Sequence, residues 1–119
     1  MTPQPLPDPT TTEEIRPDKV AEIMPAIEVG DIRLIDCREP HEWDIAHLDH
    51  AELIPLSTFP ASAASLVDAN TPCIIYCHHG MRSLHATQWL RHHGLARAWS
   101  MHGGIDAWTT SIDPSLPRY

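Results

Sequence analysis

Residues 72–94 read Pro-Cys-Ile-Ile-Tyr-Cys-His-His-Gly-Met-Arg-Ser-Leu-His-Ala-Thr-Gln-Trp-Leu-Arg-His-His-Gly, and the change of pattern inside them decides the fold. Cys73-Ile74-Ile75-Tyr76 is continuously apolar and follows Pro72, the pattern of a strand buried on both faces. His78 to Met81 interrupt it. Ser83 to His93 then read as a helix with Ala86, Trp89 and Leu90 on one face, and Gly94 is its stop. A cysteine therefore leaves a buried strand and is followed within a few residues by a helix N-terminus.

Working outward, the same alternation recurs. Pro17 suits a first helical turn, where its missing N–H is not needed. Val20, Ala21, Ile23 and Met24 supply an apolar stripe at helical spacing. Gly30-Asp31 breaks the chain, and Ile32 to Ile35 read as a short strand ending at Asp36. Glu39 to Asp44 form a short helical turn. Leu53-Ile54-Pro55-Leu56 reads as an edge strand, since Pro55 cannot donate to a ladder. Ala61 to Leu66 is a small helix. Downstream, Ala96 to Met101 is a last strand, Gly103-Gly104 a turn, and Ile105 to Trp108 the start of a final helix. Strands alternating with helices predict an α/β sandwich with a mostly parallel sheet.

The 119 residues suffice for one domain with one modest core. Residues 1–12, rich in Pro and Thr, read as a flexible tail, leaving 13–119 as the domain. The net charge of −8 argues against nucleic acid as a general partner, because phosphate binding needs a cationic face. No apolar run approaches the roughly 18–20 residues of a membrane helix, and the N-terminus lacks a signal-peptide pattern; the expected location is cytoplasmic. The cysteines Cys37, Cys73 and Cys77 are odd in number and lack zinc-like spacing, so a reduced compartment and a working thiol are expected, with no metal.

That thiol is Cys77. Ligands of open α/β sheets bind beyond the carboxyl ends of the strands. The following helix aims free N–H groups and the positive end of its dipole there. Thiol pKa values fall to roughly 3.5–7.5 in such settings, so Cys77 is expected to be a nucleophilic thiolate. Gly80 permits the positive φ that curls successive N–H groups inward. Cys73 reads as core. Cys37 reads as core too, or as a resolving thiol for oxidised Cys77 if the two sulfurs are close.

Cys77-His78-His79-Gly80-Met81-Arg82-Ser83 resembles the active-site loop of the rhodanese family of single-domain sulfurtransferases. Leu34-Ile35-Asp36-Cys37-Arg38-Glu39-Pro40 with Glu42-Trp43 resembles the family's first signature. His47-Leu48, Ala51 and Ile54-Pro55-Leu56 match its continuation, and Met101 to Trp108 resemble the closing motif. The likeness runs from Ile15 to Trp108. One stretch departs: Ala46-His47-Leu48-Asp49-His50-Ala51 stands where the family usually has Gly-His-Ile-Pro-Gly-Ala.

The resemblance implies a three-layer α/β sandwich with a central, mainly parallel five-stranded sheet. It implies that Cys77 takes a sulfane sulfur from a small anion such as thiosulfate and passes it from a persulfide to cyanide, a thiol or an acceptor protein. Thioredoxin-like or other sulfur-acceptor proteins are the implied macromolecular partners, and no cofactor is required. His78, His79, Gly80, Met81 and Arg82 would bind the donor. Arg82 is either the donor's cation or a brace paired with an acid such as Glu42. Asp36, Arg38, Glu42, His47 and Ser83 would form a supporting network that fixes the loop, with Ser83 capping or beginning the helix. Two alternatives stay open: a persulfide carrier between proteins, and a small cysteine phosphatase or arsenate-type reductase. The latter resembles a Cys-x5-Arg pattern, whereas four residues separate Cys77 from Arg82. The tighter loop suits one sulfur atom better than a phosphoryl group.

Overall fold

In a computed structural model, which describes residues 6–119, five strands and six helices alternate along the chain. They are β1 (Glu14–Ile15), α1 (Pro17–Glu22), α2 (Met24–Glu28), β2 (Arg33–Asp36), α3 (Pro40–Ile45), β3 (Ala51–Leu53), α4 (Ala64–Ala69), β4 (Cys73–Tyr76), α5 (Met81–His92), β5 (Ala98–Met101) and α6 (Gly104–Ser111). The strands form one sheet in the order β1-β5-β4-β2-β3, and every pairing is parallel. The expected five-stranded α/β architecture is the observed one.

Period-two alternation divides the core. On one face of the sheet Leu34, Ile74, Tyr76, Trp99 and Met101 pack with Val20, Ile23, Ile27, Ile105 and Trp108 from α1, α2, α6 and their flanks. On the other, Ile35, Cys37, Cys73, Ile75, Cys77 and Ala98 pack with Leu66, Ala86 and Leu90 from α4 and α5. All four residues of β4 are fully buried, as a central parallel strand requires.

Several boundaries move for identifiable reasons. The stripe Val20–Met24 is two helices rather than one, because Pro25 has no N–H to continue the ladder. The edge strand is β3, Ala51–Leu53, and stops before Pro55. The helix expected at Ala61–Leu66 occupies Ala64–Ala69 and closes on Asn70 at φ 55°. The two-residue strand β1, not foreseen, pairs with β5 at the other edge. In the departing turn, His50 takes φ 66°, the left-handed conformation that glycine would otherwise supply.

Residues 1–5 of the expected tail lie outside the described residues. Residues 6–12 lie on the domain: Leu6 packs against the first core face, and Arg91 donates to the carbonyls of Pro9 and Thr12 at 2.8 Å each.

Candidate active site

Cys77 leaves the carboxyl end of β4, and the chain turns at once into α5. Gly80, at φ 109°, is the N-cap, so α5 begins at Met81, two residues before the expected start. The turn brings two backbone amides onto the sulfur. The N–H of Gly80 lies 3.1 Å from Cys77 Sγ and that of Ser83 lies 3.4 Å from it. Ser83 is thus the third residue of the helix rather than its cap. Its hydroxyl donates to the Gly80 carbonyl at 3.1 Å and shares a 2.7 Å hydrogen bond with Ser100 Oγ on β5.

The carbonyls of the loop face the other way. Those of Cys77 and His78 accept the N–H groups of Ile105 (2.8 Å) and Asp106 (3.1 Å) in the first turn of α6. This close approach explains Gly104: a Cβ there would collide with both carbonyls. Gly103-Gly104 is therefore more than a tight turn. It lets one helix end hold the loop's acceptors so that its donors face the sulfur.

Cys77 also has a cysteine neighbour. Asp36 of β2 is in register with Tyr76 of β4, and the Cys37 N–H donates to the Tyr76 carbonyl at 3.0 Å. Cys37 and Cys77 therefore stand side by side on one face, with both side chains in the same core cluster. The Cys37 thiol is the largest influence lowering the Cys77 pKa from 9.0 to about 5. The Ser83 hydroxyl and amide and the Gly80 amide add to it, against the opposing cost of burial. The neighbouring Cys77 and burial push Cys37 upward, so Cys37 keeps the proton and Cys77 is the anion. The Cys77 residue is only 1% exposed.

Around this centre lie the charged residues named above for a supporting network. Arg38 and Asp36 are an ion pair at 2.7 Å with both side chains fully buried. Arg38 also donates to the Ala46 carbonyl (2.6 Å) and the Tyr119 hydroxyl (2.7 Å). Tyr119 donates to Glu42 at 2.7 Å, and Arg82 grips Glu42 through two bonds of 2.6 and 2.8 Å. That grip holds the Glu42 carboxyl down at about 2. Of the two roles open to Arg82, bracing against Glu42 is the one present. His47 is not joined to this network: it is exposed, stacks on Trp43 at 3.8 Å, and contacts the Trp43 carbonyl through Nδ1.

The loop histidines stack. His78 lies between His79 and Tyr119, at 3.9 Å from each ring. His79 Nδ1 is 3.9 Å from Asp106, and its side chain is 68% exposed. Met81 is exposed. Cys73 is core, four residues before Cys77 and in register with Arg33.

Sequence reasoning missed three participants. Ser100, the one polar residue in an otherwise apolar strand, carried a readable signal. The α6 amides were hidden behind an ordinary Gly-Gly turn. Tyr119 carried no local signal, since it reaches Arg38 across 81 positions.

Comparison with known proteins places this arrangement. Residues 17–111 match the rhodanese-like domain. The chain belongs to the rhodanese family. It is 35% identical over 89 residues to the probable adenylyltransferase/sulfurtransferase MoeZ of Mycobacterium tuberculosis, covering 74% of this chain and 23% of that protein. It is 37% identical over 92 residues to a maize (Zea mays) adenylyltransferase and sulfurtransferase, covering 72% of this chain and 19% of that one. The chain thus spans about a fifth to a quarter of the length of these curated relatives. Among solved structures, the human single-domain sulfurtransferase superposes with a TM-score of 0.62 at 25% identity, over 84% of this chain and 97% of that one. A rhodanese-like domain protein from Staphylococcus aureus gives 0.73 at 25% identity, over 91% and 99%. The rhodanese membership expected from the motifs is shown. Among the described residues, no helix is long and apolar enough to cross a membrane.

Proposed function

We propose that the chain transfers sulfane sulfur from thiosulfate or a related donor to cyanide, a thiol or an acceptor protein, carrying it as a persulfide on Cys77. The observation that carries this reading is the pair of amides from Gly80 and Ser83 directed at a thiol already disposed to be an anion. The Cys77 thiolate attacks the outer sulfur of thiosulfate, the S–S bond breaks, and sulfite leaves with the electron pair. The acceptor thiolate or cyanide then takes the outer sulfur and Cys77 departs as thiolate. Two half-reactions of this kind give ping-pong kinetics.

The same donors serve both the resting thiolate and the persulfide, because inward amides and the positive end of α5 favour any sulfur anion there. Arg82, in its braced position, adds positive field near the loop, and the charge on Cys77 is one of the influences that raise the Arg82 pKa. With Arg82 engaged by Glu42 and only four residues in the loop, phosphoryl transfer has weaker support. A second reading, a relay that receives and delivers persulfide between proteins, is favoured by the chain's match to one part of much longer sulfurtransferase relatives.

Intact mass spectrometry after thiosulfate treatment tests the chemistry. The expected result is a gain of one sulfur atom, removed by cyanide and absent in Cys77→Ser. Sulfur uptake by Cys77→Ser, or aryl-phosphate hydrolysis in place of uptake by the unaltered protein, overturns it. Faster exchange with a persulfidated protein than with cyanide selects the relay.

A further inference from the structure

Cys37 is a buried thiol that favours the Cys77 anion but has no covalent part in the transfer described above, and it lies beside the residue on which that transfer depends. Among the three cysteines it alone lies across from Cys77: Cys73 is in register with Arg33, whereas Cys37 extends β2 beside Cys77 one step past the Asp36–Tyr76 pair. Both side chains enter the same core face. Adjacent strands run about 4.8 Å apart, inside the roughly 4.4–6.8 Å of Cα separation that a disulfide spans. The Cys37 backbone is held on both sides, by its N–H on the Tyr76 carbonyl and by its own carbonyl on the Leu56 N–H at 2.9 Å. The two sulfurs can therefore join without displacing a strand.

We propose that Cys37 resolves the Cys77 persulfide from within the sheet, releasing the transferred sulfur as hydrosulfide and leaving a Cys37–Cys77 disulfide. This step rests on the persulfide reading and extends it to a second activity, reduction of a sulfane-sulfur donor by an external dithiol. Cys37 Sγ attacks Cys77 Sγ and a new S–S bond forms. The bond from Cys77 Sγ to the outer sulfur breaks, its electron pair leaves with that sulfur, and the Cys37 proton goes with it as HS⁻. An external dithiol then attacks the disulfide at Cys77, is itself oxidised to a disulfide, and returns both cysteines to thiols. Over the cycle, thiosulfate and a dithiol yield sulfite, hydrosulfide and the oxidised dithiol.

The resting state prepares the step. Cys37 keeps its proton while Cys77 is a thiolate, because the neighbouring anion and burial both oppose ionisation. Once Cys77 carries a second sulfur, the negative charge moves outward and the proton gains an acceptor on the leaving atom.

The test follows the whole chain, reduced and free of oxygen, after one equivalent of thiosulfate with neither cyanide nor reductant. Intact mass, released sulfide and cross-linked peptides are read over time. The expected course is a one-sulfur adduct giving way to a species two hydrogens lighter than the starting protein. An equal amount of sulfide and a peptide joining residues 37 and 77 should accompany it. In Cys37→Ser, which retains a hydroxyl donor but not the nucleophile, the adduct should live about tenfold longer or more, without cross-link, since exchange needs the neighbouring thiol. An adduct equally long-lived in both proteins, or sulfide release without the cross-link, overturns the step and leaves persulfide transfer standing. The absence of adduct, sulfide and cross-link together overturns the transfer reading itself.

Discussion

A cysteine thiol ordinarily ionises near 9.0, and burial alone raises that value. Cys77 moves the other way because the Cys37 thiol, the Ser83 hydroxyl and amide, and the Gly80 amide all stabilise the anion. The sign of the pH dependence follows. The nucleophilic form is the deprotonated one, so alkylation by iodoacetamide should be level across neutral pH and fall as pH drops through about 5. Stopped-flow or mass-based rates from pH 4 to 9, values chosen to bracket that fall, check this. Ser83→Ala, which removes one of these stabilising groups, should move the midpoint upward. A rate still climbing through neutrality in the unaltered protein contradicts the assignment. The sequence made the cysteine legible, because strand, turn and helix each have a local signature. It did not reveal that the strongest influence on the thiol comes from Cys37, forty positions away.

Elements, rather than single side chains, shape the loop. The first turn of α6 receives the Cys77 and His78 carbonyls, and that approach leaves no room for a Cβ at residue 104. Gly104→Ala also places alanine at φ 64°, which alone costs about 1–3 kcal/mol. The expected outcome is a lower thermal midpoint together with lost thiosulfate uptake, because relief of the clash turns the loop carbonyls and so moves its amides. Calorimetry and sulfur loading on one sample check both. If loading survives unchanged, α6 does not set the loop. Element type was readable here: β4 and the existence of α3 and α5 follow from burial pattern, proline and glycine. Boundaries were not, since Pro25 splits a continuous stripe and Gly80 lets α5 start early. The turn at residues 46–51 keeps its path because a histidine accepts a left-handed φ.

Across the whole molecule, a chain of polar contacts runs from Asp36 through Arg38, Tyr119 and Glu42 to Arg82. It ties β2, α3, α5 and residue 119 together around the buried carboxylate of Asp36. Removing one member of a buried ion pair leaves the other charge unsolvated and costs about 3–5 kcal/mol. Arg38→Met should therefore destabilise the domain by about that amount in urea unfolding, with a steeper loss than Glu52→Gln, whose partner Arg33 is partly exposed. Equal losses for the two variants contradict the ranking. Individual ends of this network were legible as charged residues beside a strand. Its closure was not, because Tyr119 joins it only once the chain has folded, and His47, which shares the motif, points elsewhere.

If Cys77 carries sulfur as proposed, its concealment, 1% exposed beneath a loop whose His79 and Met81 stand in solvent, would act as a sieve on visitors. Two flat protein faces pressed together would hold their sulfurs apart, so a slender reagent would have the advantage. A macromolecular recipient would have to offer its thiol on a protruding tip, and shape would sort recipients before reactivity does.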